Sequence, residues 1–547
     1  MVTSAWGMLW RWHKDITKTI SFLAGKDVSA SSSSPKEETN QDDEEPPSSN
    51  KRQRIGLLLG PLLFILSLLF FQPESLSMEG RAVFSSTLWI ATWWITEAIP
   101  IPATSLLPIV LFPATGGLTI DKTTSSYGDD NIFLFMGGFI IALALERWNL
   151  HKRIALAIIS IIGTSTERIV LGFMVATGFL SMWISNTATS MMMVPIGLAI
   201  IYQVQDTLKQ QGHMEAGKED FPFGKALMLG IAYSASIGGL GTLIGTPPNT
   251  LFAGAVTKLY GIEISFAKWM LFGVPLAAIF LLMAWVYLVK IAYPMKLSNI
   301  PGGKEVIEEE KKSLGGMSKE EKLVLVIFVV TALLWMTRSL LISNLLPNLE
   351  LDDAMIAIGA SLVLFLIPSP SYKGQYLMNW ETAKTLPWGI LLLFGGGLAI
   401  ASGFEESGLA EWIGQRLTVL ENVSFFFILL AVIALVIFLT EITSNTATAS
   451  MMFPIMASLS TALGIHPYSV MVGAAIAASC AFMLPVATPP NAVVFGSGYL
   501  RIPDMAKAGV WLNLAAIIVL SAAIYFLLPL VWDIDLTSIP SKFEQSG

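Results

Sequence analysis

A cluster of small hydroxyl and amide side chains, set inside a long apolar run and written twice, constrains this chain more than any other feature. Ser185-Asn186-Thr187-Ala188-Thr189-Ser190-Met191-Met192-Met193-Val194-Pro195-Ile196 returns from Ser444 to Ile455 with nine of twelve positions identical. Polar groups at such a position are unfavourable unless they bind one another or a ligand. A second pair echoes the first: Gly245-Thr246-Pro247-Pro248-Asn249 and Ala487-Thr488-Pro489-Pro490-Asn491 each interrupt a later apolar stretch. Together the four elements read as one ligand site built by two related halves.

The composition places these polar tips in a membrane. With 54% hydrophobic and 13% charged residues over 547 positions, and repeated apolar runs near the ~20 residues that cross a bilayer, the chain reads as an all-α polytopic membrane protein. One cysteine, Cys480, excludes an internal disulfide and a cysteine-based metal cluster, and reads as a small packing residue. The net charge of −7 says little about substrate, and nothing points to nucleic acid.

Residues 1–54 read as a separate cytoplasmic tail. Trp6, Trp10 and Trp12 among Arg11, Lys14 and Lys18 read as a short interfacial helix, and 31–50 as a Ser, Pro, Glu and Asp tract too polar to fold. The first span begins at Ile55, after Lys51, Arg52 and Arg54. Further spans fall at 82–98, 99–113 and 131–150, an amphipathic connector at 151–165, an interrupted run at 168–202, a span broken at Gly245 over 224–259, and a span at 268–291. After a charged linker the plan repeats, with spans at 323–342, 352–368 and 386–404, an interrupted run at 422–464, a broken span at 466–500 and a last span at 508–532.

The repeat survives arithmetic. Ser185 and Ser444 differ by 259, and that offset also pairs Leu134, Phe135, Gly137, Gly138, Ile141, Ala142, Glu146 and Leu150 with identical residues in the second half. The Pro-Pro pairs differ by 490 − 248 = 242, and the missing 17 residues match a polar linker after Ile201 that the second half lacks. An internal duplication explains both offsets. If each interrupted run dips in and returns on the same side, an odd number of crossings separates the copies and the second is inverted. Arg147, Lys152, Arg153, Arg168, the 296–322 linker, Arg501 and Lys507 then fall inside, and Glu405, Glu406, Glu411 and Glu421 outside. This topology puts the N-terminus in the cytoplasm and the C-terminus outside. The polar tips in mid-run argue for re-entrance.

Inverted repeats with helices broken at the midplane are a common build of secondary transporters. A re-entrant hairpin brings the carbonyl end of one half-helix and the amide end of the next to one point, suited to a cation and an anion respectively. Residues 181–184 would supply carbonyls, and Ser185, Asn186 and Thr187 would cap the return helix. Thr246 and Thr488 occupy N-cap positions ahead of Pro247 and Pro489. Gly245 is expected to end its half-helix, a freedom Ala487 lacks. The sequence places no Arg or Lys near any tip, so a dianion would rest on amides, hydroxyls, helix ends and bound cations.

Several polar or unusual residues read as structural. Gly137-Gly138 and 395–397 read as close-packing positions, and Met191–Met193 and Met451–Met452 as packing or lipid-facing. Glu97, ahead of Ile99-Pro100-Ile101-Pro102, reads as structural. Glu441 lies three residues before Ser444, where the first half has Met182; it has either a structural hydrogen bond or a coupling role.

The Ser-Asn-Thr tips, the two Thr-Pro-Pro-Asn breaks and Trp93-Trp94-Ile95-Thr96-Glu97-Ala98-Ile99-Pro100 resemble the divalent anion:sodium symporter family over residues 55–532, and in particular its bacterial sodium-dependent dicarboxylate transporters. The resemblance implies about eleven transmembrane helices plus two re-entrant hairpins, and a homodimer working as an elevator. Its scaffold would be 55–165 and 323–420. Its transport domain would be 166–293 and 421–532, with 294–322 a cytoplasmic linker and 533–547 a C-terminal tail. It implies one sodium at Ser181, Ser185, Asn186 and Gly245, and another at Thr440, Ser444, Asn445 and Ala487. The substrate carboxylates would meet Ser185, Asn186, Thr187, Thr246, Ser444, Asn445, Thr446 and Thr488. Sodium-coupled uptake of succinate, malate or fumarate across the bacterial inner membrane is the expected activity. A sodium-independent dicarboxylate or citrate exchanger of the same fold is the alternative. An anion channel would need a continuous polar pore. A hydrolase using Ser185 or Ser444 lacks a base, since His13, His151, His213 and His466 fall in the tail, linkers or span ends.

Overall fold

A computed structural model of the protein describes residues 51–163, 165–210, 221–295, 303–339, 351–540 and 543. The tail up to residue 50, with its expected interfacial helix and polar tract, lies outside the described residues, as does most of the linker after Gln210. The rest is helical. The first half runs through α1 (Lys51–Phe70), α2 (Met78–Thr96), α3 (Leu107–Thr115), α4 (Asp130–Arg147), α5 (Leu150–Ile162), α6 (Thr166–Ser181), α7 (Asn186–Gln210), α8 (Pro222–Gly239), α9 (Pro247–Tyr260) and α10 (Phe266–Val286). After a linker helix, α11 (Gly303–Ser313), the second half follows as α12 (Lys319–Thr337), α13 (Asp353–Leu366), α14 (Trp388–Glu406), α15 (Leu409–Leu417), α16 (Phe425–Thr440), α17 (Asn445–Leu463), α18 (Pro467–Ala477), α19 (Pro489–Phe495) and α20 (Ile502–Ala522).

Among the described residues seven helices are long and apolar enough to cross a membrane, or eight if α15 and α16, bent by 119° at their junction, count with them. Shorter apolar helices at Ile101–Thr115, α13 and α18 lie below that length. The expected span at 99–113 is divided, because Pro102 and Pro108 fall in the first turns of two successive helices, where proline needs no amide partner. The C-terminal segment is docked rather than loose: the His466 backbone amide donates to the Leu536 carbonyl at 3.1 Å.

The duplicated elements meet reciprocally. The short helix after the first break, α9, packs on α17 and α18 of the second half, while its counterpart α19 packs on α7 and α8 of the first. Contacts exchanged in both directions are the signature of a twofold relation. Around this intertwined unit, α4 packs on α13, α1 on α2, and α14 on both α9 and α17. Small residues permit the close crossings. Gly137 lies so near Ala357 that an added Cβ would sit 2.6 Å from the alanine methyl, which gives the paired glycines the packing role expected of them.

A crossing of backbone on backbone brings α6 against α8, where Gly178 faces Gly238. A methyl at Gly238 would run into the Gly178 carbonyl, which cannot swing aside as a side chain could. Gly238→Ala is therefore expected to destabilise by about 1–3 kcal/mol or more, read as a lower thermal midpoint of the detergent-purified protein. An unchanged midpoint would show that the α6–α8 crossing relaxes freely.

Candidate functional site

Both interrupted runs turn where the sequence placed their tips. Helix α6 ends at Ser181 and α7 begins at Asn186; 259 residues later α16 ends at Thr440 and α17 begins at Asn445. Ser185 accepts from the Ala188 amide at 3.2 Å, so it caps the return helix as expected. The broken spans leave longer gaps, between Gly239 and Pro247 and between Ala477 and Pro489.

Gly245 does not end α8. That helix stops at Gly239 with Leu240 as its cap, and Gly245 lies deep in the unwound stretch. A Cβ there would stand 2.5 Å from the Gly239 carbonyl oxygen, so the glycine serves a close backbone approach rather than a left-handed turn. Ala487 holds the corresponding place with its side chain intact, and the two breaks differ in consequence.

Each unwound stretch is held by an asparagine from the following helix. The Asn249 amide nitrogen donates to the carbonyls of Gly239 at 3.1 Å and Thr242 at 2.8 Å. Asn491 does the same for Ala481 at 3.1 Å and Leu484 at 3.0 Å. These bonds satisfy carbonyls that lost their helical partners when the chain opened.

Behind each tip a hydroxyl, an asparagine side-chain amide and backbone carbonyls gather. Ser181 Oγ bonds the Ala235 carbonyl at 2.6 Å and also touches Asn186 Oδ1. The same end of the Asn186 amide lies 3.2 Å from the carbonyls of Ala235 and Gly245. In the second half Thr440 Oγ1 lies 2.7 Å from Asn445 Oδ1 and 2.9 Å from the Ala478 carbonyl. A hydroxyl has one proton and can satisfy one acceptor at a time. The remaining oxygens suit a hard cation, whereas turning the Asn186 nitrogen inward would fill the first cluster with hydrogen bonds instead. The carbonyls at the first cluster come from Ala235 and Gly245, in the broken span. The hairpin contributes Ser181 and Asn186 by their side chains, and the Met182 carbonyl is taken by the Thr242 hydroxyl at 2.5 Å.

In front of the clusters lies a cavity of about 480 Å³. Ser185, Asn186, Thr187, Gly245, Thr246, Ser444, Asn445, Thr446, Ala487 and Thr488 all line it, while Ser181 and Thr440 are fully buried behind. Thr246 is an N-cap by position but makes no side-chain cap bond; its hydroxyl meets Ser479 of the other half at 3.2 Å. Thr488 makes a long cap bond to the Asn491 amide at 3.5 Å. Phe135, Phe139, Pro102 and Leu393 add apolar surface to the lining.

Two charged residues join this lining, and one corrects an expectation. Arg52 lies at the cavity and donates to the Ile442 carbonyl at 2.7 Å, so a cation does stand beside the second tip. Its distance in sequence hid it. Glu97 lines the cavity as well and takes a left-handed backbone at φ 51°, which ends α2. Ser479 and the Ala235 and Ala478 carbonyls carried no sequence signal, because backbone atoms and lone serines look alike at every position.

Glu441 has a structural hydrogen-bonding role in this geometry. Its carboxylate accepts from the backbone amides of Phe482 at 2.7 Å, Met483 at 2.9 Å and Leu484 at 3.1 Å, and from the Asn513 side chain at 2.7 Å. It thereby fixes the amide side of the second unwound stretch, while Asn491 fixes the carbonyl side. Glu441→Gln leaves at least one of these buried donors facing an NH₂ group, and unsatisfied buried donors cost about 1–3 kcal/mol each. The expected result is a lower thermal midpoint than wild type, with Asn513→Ala affecting it less; equal midpoints would remove this role.

The family model described as the sodium:sulfate symporter transmembrane region matches residues 52–532. The sodium-dependent dicarboxylate transporter SdcS of Staphylococcus saprophyticus is 52% identical over 493 residues, covering 90% of this chain and 94% of that protein. SdcS of Staphylococcus aureus is 52% identical over 492 residues, with the same coverage. Among solved structures, MtrF of Neisseria gonorrhoeae aligns with TM-score 0.53 at 15% identity over 88% of this chain and 96% of that one. The YdaH transporter of Alcanivorax borkumensis aligns with TM-score 0.53 at 14% identity over 82% and 99%. These two share the fold alone. A chain whose tips and breaks all fall within that family match is a transporter, not an enzyme, and belongs to the divalent anion:sodium symporter family.

Proposed function

We propose that this protein is a secondary active transporter that carries C4-dicarboxylates such as succinate, malate and fumarate into the cell together with at least two sodium ions. The observation that supports this reading best is the pair of matched polar clusters, Ser181 with Asn186 and the Ala235 and Gly245 carbonyls, and Thr440 with Asn445 and the Ala478 carbonyl, set behind one cavity. The relatives named sodium-dependent dicarboxylate transporters agree with it.

In this mechanism sodium loads first. The first ion is held by Ser181, Ser185, Asn186 and Gly245, the second by Thr440, Ser444, Asn445 and Ala487. The carboxylates then meet Ser185, Asn186, Thr187 and Thr246 on one side and Ser444, Asn445, Thr446 and Thr488 on the other. Two cations beside a dianion leave little net charge in a low-dielectric cavity, which is the physical basis of coupling. Residues 166–293 and 421–532 form the moving transport domain and 55–165 with 323–420 the scaffold of a homodimer. The hairpins are re-entrant, the halves inverted, and the protein lies in the bacterial inner membrane with its N-terminus in the cytoplasm and its C-terminus outside. The reciprocal packing of α9 and α19 supports the twofold relation this topology needs.

A sodium-independent exchanger is the second reading, favoured by one observation: the Asn186 nitrogen can turn inward and close the first cluster without an ion. Proteoliposome uptake of succinate distinguishes the two. Symport predicts a Hill coefficient above one for sodium, and Asn186→Ala or Asn445→Ala is expected to lower uptake about tenfold or more. That is the size of one desolvated contact to a charged group. Succinate affinity equal in choline and sodium would leave the exchanger standing.

The topology has its own check. Cysteines placed at Lys312 in the linker helix and at the exposed Val419 beyond α15 are expected to react with impermeant reagents from opposite faces. Labelling from one face would break the inverted arrangement.

A further inference from the structure

We propose that Arg52 is a positioning residue for transport, tying the tip of the second hairpin to the end of α2 and holding the cavity in the arrangement seen here. The proposal rests on the elevator reading, in which the hairpin and α2 belong to bodies that move past one another.

Arg52 is placed firmly by its own helix. The Trp93 indole nitrogen donates to the Gly56 carbonyl at 2.9 Å, and Gly56 packs directly on Thr96, so the second turn of α1, one turn beyond Arg52, is fixed against the last turn of α2. From there the guanidinium donates to two carbonyls, Ile95 on α2 and Ile442 at the hairpin tip, the latter at 2.7 Å.

Both acceptors are ones that the local chain leaves open. Helix α2 stops at Thr96, so the Ile95 carbonyl is among the last four of the helix, which lack ordinary partners. Ile442 lies in the non-helical turn between α16 and α17, where no helical amide follows in register. Both bonds leave one nitrogen, Nη2, whose two N–H groups lie in the guanidinium plane and point to the two carbonyls at fixed directions. Among the described residues that line the cavity Arg52 is also the one cation, yet its bonds run to backbone oxygens of two bodies. That arrangement is a tether across the moving boundary.

A bond present in one arrangement and absent in the other shifts the balance between them by its own differential strength. Arg52 is exposed, so water weakens the effect, and removing it is expected to change the population about three- to tenfold.

Val486 supplies a reporter, since it lines the cavity and is 84% exposed. In full-length Cys480→Ser protein reconstituted in liposomes, Val486→Cys is labelled by an impermeant maleimide from the face that reacts faster in the otherwise wild-type chain. Arg52→Gln is expected to slow that labelling about three- to tenfold, with Arg52→Lys intermediate. If Arg52→Gln does not fold, Arg52→Lys, which keeps the charge but has no planar guanidinium to direct two N–H groups, makes the comparison. Unchanged labelling overturns the tether. Unchanged labelling with weakened succinate binding at saturating sodium overturns it too, and makes Arg52 a substrate ligand. Sodium-independent succinate uptake by the Arg52 chain, with slowed labelling in Arg52→Gln, would instead overturn the symport reading and leave the tether standing.

Discussion

Backbone amides and carbonyls set free inside a membrane protein must find partners within the protein, because the surrounding hydrocarbon offers none. The rest of this structure depends on how that requirement is met at four interruptions. Asn249 and Asn491 reach back over the two unwound stretches and bind the carbonyls of Gly239, Thr242, Ala481 and Leu484. Glu441 binds the amides of 482–484 from the other side. Once these groups are satisfied, the hydroxyls and amides of the Ser-Asn-Thr tips remain available to face a cavity.

The two halves share a plan without sharing every device. Ser181 and Thr440 stand in equivalent places, each with a hydroxyl between an asparagine and an alanine carbonyl. Gly245 lets the first break fold tightly onto Gly239, whereas the second break keeps Ala487 and uses a carboxylate where the first half has Met182. In the first half the Met182 position contributes its carbonyl to Thr242 instead. One half is thus drawn together by backbone approach and the other by a buried acid.

Contact between the halves completes the cavity. Thr246 of the first half meets Ser479 of the second, and α9 and α19 each pack into the opposite half. Neither half encloses the cavity alone. Arg52 adds a contribution from α1, far from either copy in sequence, which brings positive charge to a region lined, apart from it and Glu97, by neutral polar groups and apolar side chains.

The sequence by itself determined the class of the molecule, the duplication and the polar positions of its site. Apolar runs, a constant offset of 259 and small polar side chains in register are local or periodic signals, and each is written in residue types. The residues named from the tips and breaks line one cavity or stand directly behind it because helix ends and N-caps follow short-range rules. Only the tertiary structure decided which carbonyls surround the tips, where α8 stops, that Gly245 serves a close approach, and that Arg52 reaches Ile442. Those facts depend on backbone atoms and on neighbours hundreds of positions apart. A backbone carbonyl is the same in every residue, so its role becomes visible only when packing brings it to a particular place.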